Sequence, residues 1–447
     1  MSLPVTQHDV ADHDLATRQI HAGTQDVVTQ RTLTVPIYQS AAYEFPDYEA
    51  AKHMFAQTRP GFTYTRTGNP TVSVLEQRIA DLEGGTGAVA TGSGQSAVAV
   101  ALLALLGQGE DKHLVASEKL YGGTVDLLTD SFADLGVEVD FVDPTTPGEW
   151  AAAVRPDTRA FLLESIGNPL ATLPDLPGIA DVARAARVPV VVDNTVASPA
   201  LYRPFEKGAD IVVHSATKFL GGHGNSLAGA VVDGGTFDWS AQPGKWPQFT
   251  VARARWGGRS LVDRCAGASP YLHLVRAKYV HDLGTTLSPF NASQIIQGIE
   301  TLDLRVARHT ASGLAVAEFL AGHPAVARVH HPGVPGDPGA GIAARDFPRG
   351  TGSVFSFDLA APDDAVGPFI DSLRLFKLVA NIGDTRSLVV HPAAMTHCRL
   401  TPEQRIAGGI AETTIRLSIG LESPEDLVAD LRQALDRVLE TTSTPGK

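Results

Sequence analysis

A chain of 447 residues can hold two or three domains with substantial cores, and 43% apolar with 19% charged residues is the balance of an ordinary globular protein. Thirty-six basic against 49 acidic residues give a net charge of −13, which argues against a general nucleic-acid binder. Cys265 and Cys398 lack metal-ligand spacing, residues 1–16 lack a secretory signal, and the apolar run Ala97–Leu106 is too short for a membrane span, so the expected setting is the cytoplasm.

The first 60 residues show no sustained period and read as an extended arm with short helices. Asn69-Pro70 then opens a helix, with Asn69 as N-cap, Pro70 in the first turn and Gly84-Gly85 at its end. Val72, Leu75, Ile79 and Leu82 mark its apolar face. From about residue 86 strands and helices alternate. Ala88–Thr91 reads as a strand and Ser96–Leu106 as a buried helix. His113–Ser117, Val137–Val142 and Phe161–Glu164 are further strands, then come runs ending at Asp193 and His214, with a helix at Ile179–Ala186. Leu227–Val232 adds another strand. The alternation predicts an α/β fold with a mostly parallel sheet.

Leu283–Leu304 carries helical signals and leads out of this region. Beyond it the period changes to two. Phe355, Phe357 and Leu359 alternate with Ser356 and Asp358, and Ile415, Leu417, Ile419 and Leu421 alternate with Arg416, Ser418 and Gly420. This predicts a smaller α+β unit whose sheet has one face covered by helices. His331–Gly341 reads as a surface loop. Ser423-Pro424-Glu425-Asp426 starts a helix with Leu427, Leu431, Leu435 and Val438 inward, and Thr441–Lys447 reads as a frayed tail. The expected division is an arm at 1–70, a large domain at 71–285 and a small C-terminal domain at 286–447.

Chemistry gathers at predicted strand ends. Ile211–Val213 ends in Ser215, Thr217 and Lys218, and Val188-Pro-Val-Val-Val-Asp193 ends in a carboxylate. A partly desolvated lysine can act as a nucleophilic amine. Amine, carboxylate and hydroxyl pair together match the needs of pyridoxal 5'-phosphate: Schiff base, pyridine-nitrogen partner and phosphate ligands. Thr91-Gly-Ser-Gly-Gln-Ser96 places Gly94 and Gln95 at a helix N-terminus suited to an anion. Tyr121 follows a strand and could stack on a ring, and Asn168 could bond the phenolic oxygen. Each has a plainer structural role open to it, in a turn or the core. Arg66, after Tyr64, could grip a phosphate, and Arg416 lies on the strand face opposite Ile415 and Leu417, where it invites a carboxylate.

With these residues the chain resembles the Cys/Met-metabolism family of pyridoxal-phosphate enzymes, of aspartate-aminotransferase-like fold type I. The resemblance runs from Thr17-Arg-Gln-Ile-His-Ala-Gly23 to Leu439, and is carried by Val192-Asp-Asn-Thr195 and His214-Ser-Ala-Thr-Lys-Phe-Leu-Gly-Gly-His223. It implies that Lys218 forms the Schiff base, Asp193 pairs the pyridine nitrogen, and Ser215, Thr217, Gly94 and Gln95 bind phosphate. Tyr121 would stack on the ring and assist the leaving group. Tyr64 and Arg66 would reach the phosphate of a neighbouring subunit in a homo-oligomer, a dimer of dimers. Asn168, Ser387 and Arg416 would hold the amino-acid substrate, with Arg416 on its α-carboxylate. Tyr64–Thr71, Glu164–Pro169 and Asn381-Ile-Gly-Asp-Thr-Arg-Ser-Leu388 are similar to the O-acetylhomoserine sulfhydrylase branch, which implies γ-replacement by sulfide or a thiol. His391–His397 is closer to the lyase form, and a γ- or β-lyase or a γ-synthase using another nucleophile remains open at this stage.

Overall fold

The computed structural model describes residues 12–23, 32–107, 112–399 and 401–443. The expectations for residues 1–11 and for the tail at 444–447 lie outside them. Near the N-terminus the described chain forms two short helices, α1 (Leu15–His21) and α2 (Tyr48–Phe55), joined by extended backbone where it is described. The helix α3 (Pro70–Glu83) has the predicted caps. The Asn69 side chain accepts from the Thr71 and Val72 amides, and Gly84 stops the helix in the left-handed region at φ +80°. Its four predicted apolar residues are all buried, and Arg18 of α1 pairs with Asp81 of α3 at 2.9 Å.

Seven strands follow: β1 (Gly87–Thr91), β2 (Lys112–Ser117), β3 (Val137–Val142), β4 (Thr158–Glu164), β5 (Val190–Asp193), β6 (Ile211–His214) and β7 (Gly229–Asp233). They form one sheet in the order β1-β7-β6-β5-β4-β2-β3. Strands β6 to β3 run parallel, and β7 runs antiparallel to both β1 and β6. Hydrophobic runs without alternation are what a parallel strand buried on both faces requires. The helices α4 (Gly94–Leu106) and α5 (Leu176–Ala186) cover the sheet. β7 starts two residues later than predicted, because Gly229 lies under the Gly-rich turn. A Cβ there would sit 2.0 Å from the Ser93 carbonyl oxygen, so the approach requires glycine.

The helical stretch predicted for Leu283–Leu304 is two helices instead, α6 (Pro289–Ile299) and α7 (Leu302–Ala321). Gly284, at φ +71°, ends the preceding helix, and the loop after it docks on the Gly-rich turn, with the Gly92 amide donating to Thr285. A second sheet contains β8 (Val326–His330), β9 (Val354–Leu359), β10 (Lys377–Leu378), β11 (Leu388–Val390) and β12 (Thr414–Ser418) in the order β10-β11-β12-β9-β8. The helices α7, α8 (Val366–Ser372) and α9 (Pro424–Ser443) pack with its apolar residues, and Leu427, Leu431, Leu435 and Val438 of α9 are buried as predicted. The face opposite the helices is covered as well. Ser356, Arg416 and Ser418 are also buried, because that polar face closes over loops of the large sheet. Ser356 donates to the Pro169 carbonyl at 2.7 Å. No helix among the described residues is long and apolar enough to cross a membrane.

Candidate active site

Where β4, β5 and β6 end, a cavity of about 270 Å³ opens between the two sheets. Its lining includes nine of the predicted residues: Gly94, Gln95, Tyr121, Asn168, Asp193, Ser215, Thr217, Lys218 and Arg416. They come from four strand ends, from the start of α4 and from the small sheet, so only the folded topology brings them together.

Lys218 is the fourth residue after the end of β6. Its Nζ donates to Asn381 Oδ1 at 2.5 Å. Burial, assisted by the Arg416 guanidinium, lowers its ammonium from the ordinary 10.5 to about 8. Asp193 ends β5 and accepts from the Thr195 amide at 3.0 Å and the Thr195 hydroxyl at 2.5 Å. Burial raises its carboxyl, while the Thr195 bonds and the nearby His214 oppose that rise. Behind it, His214 bonds Glu83 at 2.6 Å, and Asn194 donates to the same carboxylate oxygen at 2.8 Å.

Arg416 is 3% exposed, so its charge faces the cavity or nothing. One terminal nitrogen donates to Asn168 Oδ1 at 3.1 Å and the other to the Asn381 carbonyl at 3.0 Å, while Nε has no hydrogen-bond partner. Burial lowers the guanidinium to about 10, which leaves it charged at neutral pH. A buried cation with an unused donor suits a carboxylate.

Residues around the Gly-rich turn form a second anion seat. Ser93 caps α4, so the Gly94 and Gln95 amides lie in its first turn, where amides have no intrahelical partner. A Cβ on Gly94 would come within 2.5 Å of Ser215 Cβ, which shows how closely the two loops approach. The hydroxyl of Thr217 donates to the Ala228 carbonyl. Gln95 donates to the Gly123 carbonyl at 2.7 Å, tying the seat to the Tyr121 loop. Amine, buried carboxylate, aromatic ring and anion seat in one cavity fit pyridoxal 5'-phosphate.

Three predicted residues are placed elsewhere. Ser387 is fully buried outside the lining, and its hydroxyl donates to Glu422 at 2.9 Å and accepts from the Gly420 amide. Tyr64 and Arg66 lie on the surface of the N-terminal segment, with the Arg66 guanidinium 5.4 Å from the Tyr64 ring centre. Sequence reasoning missed Glu164, Thr195, Asn381 and Thr396, which also line the cavity. Glu164 carried the same signal as Asp193, a carboxylate ending an apolar strand. Asn381 and Thr396 carried none, since no periodicity locates a residue in a loop.

Residues 16–436 match the family described as Cys/Met metabolism PLP-dependent enzyme. The O-acetyl-L-homoserine sulfhydrylase of Leptospira meyeri is 42% identical over 427 residues, covering 94% of this chain and 96% of that relative. The protein of the same name from Corynebacterium glutamicum is 44% identical, covering 93% and 95%. Among solved structures, an O-acetylhomoserine (thiol)-lyase from Campylobacter jejuni superposes with a TM-score of 0.91 at 33% identity, covering 95% of this chain and all of that one. That crystal carries a pyridoxyl-lysine monophosphate. Cystathionine gamma synthase from Xanthomonas oryzae, in complex with aminoacrylate and cysteine, reaches 0.81 at 34%, covering 96% and 99%. This chain therefore belongs to the Cys/Met metabolism family of enzymes that depend on pyridoxal phosphate.

Proposed function

We propose that the protein catalyses γ-replacement on O-acetylhomoserine. Sulfide displaces acetate to give homocysteine, and a thiol such as methanethiol in its place gives methionine. The observation that carries this reading is the convergence of Lys218, Asp193 and Arg416 in one cavity. The sulfhydrylase names of relatives with 42–44% identity over most of the chain favour sulfide as nucleophile and acetate as leaving group.

Bound pyridoxal phosphate supplies an electron sink that acidifies the Cα and Cβ hydrogens of the amino acid joined to it. Lys218 would hold it covalently, and Gly94, Gln95, Ser215 and Thr217 would hold its phosphate. Asp193 would supply a negative charge to the ring nitrogen, and Asn168 and Tyr121 would bound the ring. Arg416 binds the substrate α-carboxylate and so fixes which bond at Cα faces Lys218. Burial lowers the Lys218 ammonium to about 8, so its amine would be available near neutral pH to take the Cα proton. Tyr121, 43% exposed and on the cavity lining, would assist the departing acetate as an acid. Arg66 is exposed and forms no ion pair among the described residues, which supports a role for Tyr64 and Arg66 at the cofactor phosphate of a second subunit. Such an assembly has an intersubunit site.

Purified protein given O-acetylhomoserine and sulfide should release homocysteine and acetate in equal amounts. Methionine or cystathionine alone should be turned over far more slowly. Formation of 2-oxobutyrate and ammonia as the main products, whether or not sulfide is present, would identify a lyase and overturn the reading.

A further inference from the structure

Glu164 ends β4 as Asp193 ends β5, and the parallel register pairs the two residues directly. Registered neighbours on adjacent strands present their side chains to the same face, so two carboxyls stand side by side at the cavity. Both line it, and Glu164 keeps only 7% exposure. Their partners differ. Asp193 is held by Thr195, two residues on in its own loop. Glu164 instead reaches the loop after β2 as well as its own. Its Oε1 accepts the Tyr121 backbone N–H at 2.6 Å, and the Asn168 backbone, four residues on, lies close enough to favour the charged form of the same carboxyl.

Tyr121 and Asn168 come from separate segments, one after β2 and the other after β4. The Tyr121 side chain makes no cap to the short helix Gly122–Asp126 that it precedes. Its ring lies against Gly123, where a Cβ would sit 2.6 Å from the ring edge. The orientation of that ring therefore depends on where its own backbone is pinned. Asn168 Oδ1 in turn accepts from Arg416, so a shift of the Asn168 backbone also moves a partner of the guanidinium.

We propose that Glu164 is a positioning residue that clamps the Tyr121 and Asn168 backbones together and thereby orients the ring and the amide facing cofactor and substrate. The inference rests on the reading of the cavity given above. Burial, reinforced by Asp193 beside it, pushes the Glu164 carboxyl well above the ordinary carboxylate range. The other titratable and charged groups at this cavity are Lys218, Arg416 and Tyr121, with His214 behind Asp193. The clamp has a close mimic, since the Oε1 of glutamine accepts the same amide bonds without titrating.

The test compares holoenzyme carrying Glu164→Gln or Glu164→Ala with wild type. It reads the visible circular dichroism of the bound cofactor, kcat and KM, and Cα–H exchange of O-acetylhomoserine in heavy water. Glu164→Ala should keep the cofactor absorbance, lose much of the dichroism and lower kcat and the exchange rate roughly 10- to 100-fold, the cost of misplacing reacting groups by about 1 Å. Glu164→Gln should restore all three, with a pH profile that overlays wild type. Unchanged dichroism and exchange in Glu164→Ala would overturn the proposal, and so would a Glu164→Gln variant as impaired as Glu164→Ala. If wild type exchanges the Cα hydrogen yet forms no homocysteine, the sulfhydrylase reading alone fails, and the contrast between the two variants still decides the clamp.

Discussion

Lys218 shows how a reactive group is made at a cost to the fold. Its amine is buried beside a guanidinium, so its ammonium falls from 10.5 to about 8 in the folded protein. Between these values the unfolded chain binds a proton that the folded chain has lost, so stability rises with pH across that window. Below pH 8 the full penalty is present, at most about 3 kcal/mol in cofactor-free protein. Lys218→Met should therefore raise the urea midpoint of the cofactor-free protein at pH 7. It should also flatten the gain that wild type shows from pH 8 to 10.5. Parallel stability curves for the two proteins would mean that Lys218 is not desolvated. At the same scale, Asp193 and Glu164 show that the same local signal, a carboxylate ending an apolar strand, serves two ends. One is held within its own loop by Thr195 and the other reaches the Tyr121 loop, and only the neighbours in space separate them.

At the scale of elements, legibility followed the physics of each segment. The caps of α3 are local chemistry, and Asn69, Pro70 and Gly84 were readable because the residues that end a helix lie beside its ends. The strands of the large sheet were readable because burial on both faces demands unbroken apolar runs. The alternation in β9 and β12 placed Arg416 correctly opposite Ile415 and Leu417, but it could not say that the polar face closes on the Asn168 loop. Most of α7 was not legible. Arg305, His309 and Ser312 interrupt its apolar stripe yet are buried. Arg305 is satisfied there by the carbonyls of Phe219, Leu220 and Gly298. The first two come from the loop after Lys218, far away in sequence, and the third from the end of the neighbouring helix α6. The resemblance of the segment around Ser387 implied a substrate ligand, whereas Glu422 and Gly420 engage that hydroxyl within the fold. The site was thus legible where strands deliver it and illegible where loops complete it.

For the whole molecule, the small sheet lends Arg416 and Asn381 to a cavity whose floor belongs to the large sheet. The N-terminal segment leaves Tyr64 and Arg66 facing outward. If that segment serves a second subunit, Lys218→Ala and Arg66→Ala are defects in different chains of one site. Mixing the two inactive variants and allowing subunit exchange should restore up to about a quarter of wild-type activity, because half of randomly paired dimers are hybrids with one intact site of two. No recovery despite demonstrated exchange would remove Tyr64 and Arg66 from any shared site. The central claim, that this cavity holds pyridoxal phosphate on Lys218, is open to a more direct measurement. Borohydride reduction of the holoenzyme, followed by proteolysis and mass spectrometry, should place the phosphopyridoxyl mass on the peptide containing Lys218 and remove the visible absorbance. Finding that mass on another lysine, or on none, would contradict the account.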